Sequence, residues 1–318
     1  MIDLHAHVVL EGTLGRAGAA GPELIEEPPS FRVGSYRLDG VRYRGSAFMD
    51  VEVRLERMRQ LGVTHQVLSP NPLTYFQRLA VADATRYARW HNDELATLVA
   101  AHPQLSGVAQ LPMQSPAEAA EELRRAVDAG LLGAAIGNDY GPTVDDPRYD
   151  AVWSTAAELD VPICIHPTTP GVDAPVEQDW RFGLELTLGF AMEETRTVVA
   201  LVAGGVLDRH PTLRVWISHG GGALAALAPK LAMGVERRPG AAAELRETGA
   251  FTARLGRLFF DAHGAPGGLA DLVGTERICG GTNFAGWDQP TELPGAAVTA
   301  QRDAASRALF GSHSTVFN

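Results

Sequence analysis

Eight short apolar runs, separated by segments with helical periodicity, restrict the fold of this chain more than any other feature of its sequence. Each run has three to six residues, and amphipathic stretches such as 51–62, 115–130 and 193–210 lie between them. The runs are residues 1–4, 65–68, 106–111, 133–136, 162–165, 213–217, 258–260 and 277–279. Eight strand–helix units in about 300 residues favour an α/β fold of the (β/α)8 TIM-like barrel type. A doubly wound open sheet is the alternative, but it would not need eight similar units.

Two longer segments interrupt this repeat. Residues 8–49 are rich in Gly, Pro and charged side chains, and their GSYRLDGVRYRG stretch resembles a small hairpin. Residues 168–187 follow the fifth run. Both segments leave the carboxyl ends of strands, where barrel enzymes carry their sites, and long loops inside compact domains are usually functional. We therefore expect an inserted loop or hairpin after the first strand, two substrate-determining loops, and a single domain over residues 1–318.

Composition excludes several classes of function. A formal net charge of -11 and a pI near 5.4 argue against a nucleic-acid-binding protein and against attraction to anionic membranes. No run approaches the roughly 18 apolar residues of a membrane span, and no basic-then-apolar leader precedes the first run. The two cysteines, Cys164 and Cys279, lie in apolar runs and read as reduced core residues. These features predict a cytoplasmic protein that acts on a small molecule.

Histidines recur at the ends of the predicted strands. His5 and His7 end the first, His166 the fifth, His219 the sixth and His263 the seventh, so five of the ten histidines lie at strand ends. Residues two apart on a strand point to the same side, and the strand ends of a barrel share one rim. Convergent imidazoles are typical ligands of a divalent metal. The sequence therefore predicts a metal and acid–base site.

Several motifs, in this order along nearly the whole chain, make it resemble the metal-dependent amidohydrolase superfamily. They are DLHAH, RLERMRQLGVTHQVLSPNP, HNDELATLVAAHP, ICIHP, VWISHGGGA and ERICGGTNFAGW. Within the superfamily the chain resembles the branch of aminocarboxymuconate-semialdehyde decarboxylase and related decarboxylases. The resemblance implies a distorted (β/α)8 barrel, in agreement with the strand count, one divalent ion, zinc or alternatively manganese, and a homodimer.

The resemblance also implies roles for individual residues. It places metal ligands at His5, His7 and His166, and an acid–base residue at His219, with Asp261 nearby as an orienting or structural carboxylate. A carboxylate-binding arginine falls on Arg42, with Arg44 as the near alternative.

The chain departs from the family pattern at two further positions. An arginine that can reach into the neighbouring subunit's site falls on Lys230, which keeps the charge but loses the two-pronged geometry. The tryptophan that the decarboxylase carries just after its HP motif is Thr168 here.

The sharpest departure from the family pattern is at the eighth run. The family usually has aspartate in a GTDYP-like string, whereas this chain has GTNFAGW, which places Asn283 at the fourth metal-ligand position. An amide oxygen can bind a metal but brings no charge, so we expect weaker metal binding and a tighter complex when Asn283 is replaced by Asp. Loss of the metal with retention of the fold is an alternative.

The missing aspartate also bears on the reaction. Hydrolases of the superfamily use that residue to accept a proton from metal-bound water, and an amide cannot do so. A decarboxylase needs only a cationic centre to hold the acid and a proton donor for the carbon that loses carbon dioxide. The sequence thus favours a metal-dependent decarboxylase of a small unsaturated or aromatic carboxylic acid. A hydrolase of a lactone, amide or ester, a hydratase, cyclase or other lyase, and a metal-free scaffold remain the alternatives.

Overall fold

Eight parallel strand positions close into a barrel in the computed structural model, which describes residues 1–168, 184–237 and 242–318. Neighbouring strands pair in parallel around the sheet. The barrel strands are β1 (Ile2–Val8), β5 (His65–Pro70), β6 (Leu105–Gly107) with β7 (Ala109–Gln110), β8 (Ala134–Ile136), β9 (Ile163–Ile165), β10 (Val215–Ile217), β11 (Phe259–Asp261) and β12 (Ile278–Cys279). The Leu4 amide donates to the carbonyl of Gly280 at 3.0 Å, which joins the first strand to the last. The predicted barrel is confirmed.

The third barrel position is divided, although the sequence predicts one continuous strand over 106–111. Val108 separates β6 from β7, and its amide donates to the carbonyl of Leu68 at 2.9 Å. The amide of Leu132 donates to the carbonyl of Gly107 at 2.8 Å on the other side. These two bonds carry the sheet across the break, so the barrel stays continuous.

The insertion forms a three-stranded antiparallel sheet of β2 (Glu23–Ile25), β3 (Ser30–Val33) and β4 (Tyr36–Asp39). The predicted hairpin over 34–45 is therefore displaced, since β3 and β4 turn at Gly34 and pairing ends before Gly40. Both glycines adopt positive φ, which suits a turn and a strand end. Phe31 and Val33 are fully buried in a separate apolar cluster beneath this sheet, so the insertion has its own small core.

Amphipathic helices cover the outside of the barrel. The first helix, Val51–Leu61, is capped at its start by Asp50, whose carboxylate accepts from the amide of Val53 at 3.2 Å. Gly62 caps its end in a left-handed conformation. In chain order they are α1 (Val51–Leu61), α2 (Val81–Ala101), α3 (Pro116–Asp128), α4 (Asp150–Glu158), α5 (Phe190–Ala203), α6 (Val206–Arg209), α7 (Leu224–Arg237), α8 (Ala250–Leu255), α9 (Leu269–Val273) and α10 (Ala296–Phe310). Among the described residues, no helix has both the length and the apolar character to cross a bilayer.

Side-chain alternation along the strands determines which residues reach the barrel interior. Cys164 and Trp216 face inward, in a cluster with Ile2 and Leu4, whereas Ile163 and Ile165 pack with the helices. Between Asp3 and Ala6 of β1, three residue steps oppose two steps of β5, which is a β-bulge. A bulge shifts the alternation by one residue and re-aims the side chains that follow it. Ala6 and Val8 therefore pack outward with the helices, and His5 and His7 take the inner face.

The amino-terminal end of the barrel, called the lower end below, is filled with apolar side chains. Helix α10 closes it, with the Ile2 amide donating to a carboxylate oxygen of Asp303 at 2.7 Å. The ring of Phe310 lies 6.0 Å from that of Trp216 and 5.2 Å from that of Phe317. The two cysteines are buried with free thiols, in agreement with the prediction that they form no disulfide.

Candidate metal and acid–base site

Three buried histidines converge at the carboxyl end of the barrel, called the upper end below. One ring nitrogen each of His5, His7 and His166 lie within 4.8 Å of one another. Each Nδ1 already has a partner: Asp261 Oδ2 at 3.0 Å for His5, Ser69 Oγ at 2.9 Å for His7 and the Pro167 carbonyl at 2.6 Å for His166. Nε2 of His5 and of His166 is buried with no hydrogen-bond partner among the described residues.

This arrangement fits a divalent metal ion. A buried ring nitrogen without a partner costs free energy unless something binds it, and a metal ligand is typically oriented through its other nitrogen. Burial, and then the neighbouring histidines, lower the pKa of His5, His7 and His166 well below the usual value. The rings are therefore neutral, which is the form that binds metal.

Asp261 holds the histidines in place rather than lining the cavity. It is 1% exposed, and Oδ2 accepts from Nδ1 of His5 while Oδ1 accepts from the backbone amides of His219 (3.1 Å) and His263 (3.2 Å). Burial raises the pKa of Asp261 to about 6 despite these bonds. The carboxylate of Asp261 at the end of β11 thus contacts one ring and two turns. Of its two expected roles, orienting or structural, these contacts favour the orienting one.

His219 lies over the three convergent rings and is paired with a carboxylate that was not predicted from the sequence. Its ring centroid lies 4.7 Å from that of His5 and 4.8 Å from that of His166. Nδ1 is 2.5 Å from Oε1 of Glu194, a residue of α5 that is 1% exposed. Burial alone would lower the pKa of His219, but the charge of Glu194 and this hydrogen bond raise it above the usual value. The pair favours an imidazolium, the form of His219 that can donate a proton.

The backbone that carries His219 is tightly enclosed. His219 has φ 47°, and Gly220, Gly221 and Gly222 follow it with positive φ. A Cβ at Gly222 would lie 2.2 Å from the carbonyl oxygen of Ala191, so only glycine lets this turn approach α5. The close approach is what brings the imidazole to Glu194.

A second carboxylate, Asp288, joins the residues after β11 and β12. Its Oδ2 lies 3.0 Å from Nε2 of His263, and its Oδ1 accepts from Nδ2 of Asn283 at 2.5 Å. Burial would raise the pKa of Asp288, but the hydrogen bond and charge of His263 and the hydrogen bond from Asn283 lower it to about 2. Asp288 is therefore ionised at neutral pH. This aspartate directly follows the GTNFAGW motif and was not among the predicted site residues.

A cavity of about 390 Å³ opens above the histidines. His7, His166, His219 and Asn283 form its floor, and their roles as site residues stay predictions. Its wall is mainly aromatic and comes from the insertion and two loops: Tyr36, Tyr43, Phe48, Phe190 and Trp287. Within the described parts of the chain, the lining contains no arginine or lysine.

The arginines expected to bind a substrate carboxylate lie elsewhere. Arg42 is 58% exposed and pairs with Glu27 at 3.0 Å, and Arg44 bridges Glu11 and Glu26 at 2.6 and 2.7 Å. Both follow β4 on the outer surface of the insertion, where the acidic side chains of the same segment neutralise them. As positioned, neither guanidinium faces the cavity, which corrects the expected position of Arg42.

Two further expectations concern the rim. Lys230 is exposed on α7, outside the described lining, so a role for it in a neighbouring subunit stays a prediction. Thr168 donates its hydroxyl to the carbonyl of Pro72 at 2.8 Å. Of the loop predicted over 168–187, residues 169–183 lie outside the described residues, while Leu186 and Thr187 line the cavity.

Comparisons with known proteins agree with this geometry. A family model described as amidohydrolase matches residues 2–314. The chain is 34% identical over 220 residues to gamma-resorcylate decarboxylase of Rhodococcus jostii, covering 65% of this chain and 66% of that protein. It is 28% identical over 246 residues to 2-amino-3-carboxymuconate-6-semialdehyde decarboxylase of Dictyostelium discoideum, covering 75% and 67%. The matches thus span about two thirds of the length of these relatives.

Solved structures share the fold over nearly the whole chain. A dihydroxybenzoic acid decarboxylase from Polaromonas, solved with manganese and the inhibitor 2-nitroresorcinol, has a TM-score of 0.74 at 23% identity and covers 97% of this chain and 96% of its own. A 5-carboxyvanillate decarboxylase from Sphingomonas paucimobilis has a TM-score of 0.78 at 20% identity and covers 98% of both chains. At these identities the likeness establishes the barrel.

Proposed function

This chain belongs to the amidohydrolase family, and we propose that it is a metal-dependent decarboxylase of a small aromatic or unsaturated carboxylic acid. One observation carries the proposal: a histidine paired with a buried carboxylate shares the floor of an aromatic-walled cavity with three convergent, neutral histidines. The names of the relatives, gamma-resorcylate decarboxylase among them, support this reaction.

His5, His7 and His166 would hold the ion, with the amide oxygen of Asn283 as the fourth protein ligand. Zinc suits three imidazoles, and manganese is the ion in the Polaromonas structure, so we propose one of these two. A bound divalent ion supplies a positive centre that draws electron density from the substrate's carboxylate or an adjacent oxygen. Since the described lining has no arginine or lysine, this positive centre would be the main anchor for the acid.

His219 would supply the proton. Because Nδ1 is held by Glu194, Nε2 is the nitrogen free to meet the substrate. As the bond between the ring or chain carbon and the carboxyl carbon breaks, its electron pair stays on the former carbon and carbon dioxide leaves. Nε2–H of His219 donates its proton to that carbon, and Glu194 stabilises the imidazolium before transfer. Solvent then reprotonates His219.

The cavity wall favours a flat, apolar substrate body. Tyr43 and Phe48 from the insertion line the cavity together with Phe190 and Trp287, and aromatic side chains pack well on a planar ring. They also keep water from the carbon that receives the proton. The proposed substrate class therefore rests on the aromatic wall of the cavity, and the proposed reaction rests on the histidines of its floor.

We further propose a single barrel domain over residues 1–318, a cytoplasmic location and a homodimer in which Lys230 reaches the neighbouring site. Buried, reduced cysteines support the location. Lys230 is the sole lysine in the sequence, so an amine-reactive cross-linker can reach only it and the amino terminus. Sedimentation and cross-linking of the wild type and of Lys230→Gln test the dimer and this contact.

The function is tested by metal content and product. Protein purified without added metal is analysed by elemental mass spectrometry, then assayed with hydroxybenzoic and dienoic acids for carbon dioxide and with neutral lactones for hydrolysis. We expect one equivalent of metal, carbon dioxide from at least one acid, loss of activity with a chelator and recovery with Mn²⁺ or Zn²⁺. Efficient lactone hydrolysis without carbon dioxide from any acid would overturn the assignment.

A matched pair of histidines controls for general damage. His7 and His65 are both buried, and each has a ring nitrogen 2.9 Å from a serine hydroxyl, Ser69 and Ser106 respectively. His7→Ala should remove the metal, whereas His65→Ala should retain it. Equal retention in both variants would exclude His7 as a ligand.

A further inference from the structure

None of the four proposed metal ligands carries a negative charge, although the carboxylate of Asp261 contacts one of them, His5. Three neutral imidazoles and one amide would surround a doubly positive ion, although carboxylates normally stabilise such ions. The residues that follow β12 contain a carboxylate, Asp288, one residue beyond the exposed Trp287. Its two oxygens contact Asn283 and His263, both of which line the cavity.

We infer that Asp288 is a positioning residue of the metal site, which turns the amide oxygen of Asn283 towards the histidines and returns the missing negative charge from one side chain further away. The inference rests on the proposed function in that it requires a metal at His5, His7 and His166. Asp288 is not one of the three histidines that could hold an ion, so the inference gives a role to a residue outside that cluster.

The hydrogen bond between Asn283 and Asp288 fixes the orientation of the amide. The amino group of Asn283 donates to Oδ1 of Asp288 at 2.5 Å, so the nitrogen end of the side-chain amide faces the carboxylate. The two ends of a planar amide point in different directions, and the carbonyl oxygen is therefore turned away from Asp288. Without this contact the amino group could face the ion, which it cannot ligate.

Backbone contacts place Asn283 beside the first strand. The preceding residue, Thr282, donates its amide and hydroxyl to buried Asp3 at 3.0 and 2.7 Å, and the following amide of Phe284 donates to the carbonyl of His5 at 2.9 Å. Residue 283 is thus fixed between two bonds to β1, the strand that carries His5 and His7.

A closed loop holds the carboxylate over Asn283. Asn283 has φ 47°, and the amide of Gly286 donates to the carbonyl of Asn283 at 2.7 Å. A Cβ on Gly286 would lie 2.5 Å from Nδ2 of Asn283, so the loop closes directly on the side-chain amide. This closure brings Asp288 back to the residue five positions earlier.

His263 is the second contact of Asp288. Nε2 of His263 lies 3.0 Å from Oδ2 of Asp288, and the His263 ring centroid lies 5.2 Å from that of His5. The charge of Asp288 is therefore separated from a proposed metal ligand by one imidazole. In a partly buried site, a carboxylate that is separated from a divalent cation by one imidazole still lowers the free energy of that cation appreciably.

The same geometry changes what a carboxylate at position 283 would do. In Asn283→Asp, an oxygen replaces the amino group 2.5 Å from Oδ1 of Asp288. Two carboxylates at that distance cannot both stay ionised without a cost, so one takes up a proton or the loop opens. The tighter metal binding expected from the sequence should therefore require Asp288→Asn as well, which moves the charge from 288 to 283 and leaves its amount unchanged.

Metal affinity of the purified apo-protein tests the inference without an activity assay. Mn²⁺ dissociation constants are measured by chelator competition for the wild type, Asp288→Asn, Asn283→Asp and the double variant Asn283→Asp/Asp288→Asn. We expect Asp288→Asn to bind about 10- to 100-fold more weakly than the wild type. The double variant should bind at least as tightly as the wild type, and about tenfold or more tightly than Asn283→Asp alone.

Asp150 provides the matched control. Its side chain is 32% exposed, as is that of Asp288, and it lies 3.0 Å from Nε2 of His210, but it does not line the cavity. Asp150→Asn should leave the Mn²⁺ affinity unchanged. Affinity of Asp288→Asn within twofold of the wild type, or Asn283→Asp binding as tightly as the double variant, would overturn the inference.

The outcomes also separate this inference from the proposed function. If the wild type binds Mn²⁺ and the variants follow the expected order, yet no acid releases carbon dioxide, the reaction is wrong and the role of Asp288 stands. If the wild type binds neither Mn²⁺ nor Zn²⁺, both are wrong. Should Asp288→Asn fail to fold, the comparison of Asn283→Asp with the double variant decides.

Discussion

The two ends of the barrel are built on opposite principles. At the lower end, Trp216, Phe310 and Phe317 pack ring against ring under α10 and fill the space. At the upper end, the same strands end in histidines and carboxylates around a cavity of about 390 Å³, and buried nitrogens of His5 and His166 have no partner among the described residues. The lower end is filled with apolar atoms, whereas the upper end keeps buried polar atoms that have no hydrogen-bond partner among the described residues.

The difference indicates where stability and function reside. Close packing of aromatic rings stabilises a fold, whereas buried polar atoms without partners destabilise it unless a ligand binds them. Barrel enzymes commonly separate the two tasks in this way. Substitutions at the upper end should therefore change activity and metal binding with little effect on folding, and substitutions at the lower end should do the reverse.

The largest expected effect is that of His219→Asn. Removal of the proton donor should lower kcat by about 10³-fold, within the range for general acid–base residues. Metal content and melting temperature should stay at wild-type values, because the imidazole belongs to neither the metal ligands nor the packed core. Elemental analysis and thermal unfolding of the same sample check this. Loss of metal in parallel with activity would make His219 a ligand.

Phe310→Ala tests the other end. The side chain is fully buried between Trp216 and Phe317, so its truncation should destabilise the protein by about 3–5 kcal/mol. Denaturant unfolding measures the loss, and kcat/KM per folded molecule should not change. A fall in kcat/KM without loss of stability would break the division between the two ends.

Glu194→Gln should have an intermediate effect, about 10- to 50-fold on kcat with KM nearly unchanged. Glutamine can still contact His219 and Ser218, but it carries no charge to stabilise an imidazolium. Because His219 can lose its proton when the neighbouring charge is removed, no unpaired charge stays buried, and the melting temperature should stay near the wild-type value. The neighbouring Glu193→Gln, at an exposed ion pair with Arg196, is the control. Equal kcat in the two variants would assign Glu194 a structural role only.

The smallest effect should come from Arg42→Ala. Its exposed pair with Glu27 contributes little, so kcat/KM for an acid substrate should stay within about twofold and the melting temperature within about 2 °C. A rise in KM for acids but not for neutral substrates would show that the insertion moves Arg42 to the cavity during turnover.

The sequence predicts the barrel and its histidines well, because both depend on local patterns. Each buried strand is a short apolar run, and His166 follows directly from the alternation that buries Cys164. The β-bulge in β1 could not be read from the sequence, since it depends on pairing with β5. His5 and His7 were nevertheless assigned to one face, and both do lie on the inner face of the barrel.

Residues that act through long-range contacts were harder to predict. Glu194 falls on the buried face of α5, four residues before Val198 and seven before Leu201, and this periodicity was the available signal. Asp288 had none, because its meeting with Asn283 and His263 depends on a loop with left-handed residues. Arg42 was misplaced because the insertion folds with its own core and pairs its own charges.

The wall of the cavity has a consequence for how this enzyme can acquire new substrates. Its aromatic residues come from the insertion, from the start of α5 and from the residues after β12. A mutational library over Tyr36, Tyr43, Phe48 and Trp287 therefore samples ligand shape while leaving the histidines untouched. The codons of Tyr36, Tyr43 and Phe48 lie between those of His7 and His166, so recombination between homologous genes can exchange this part of the recognition surface as one segment and keep the chemistry.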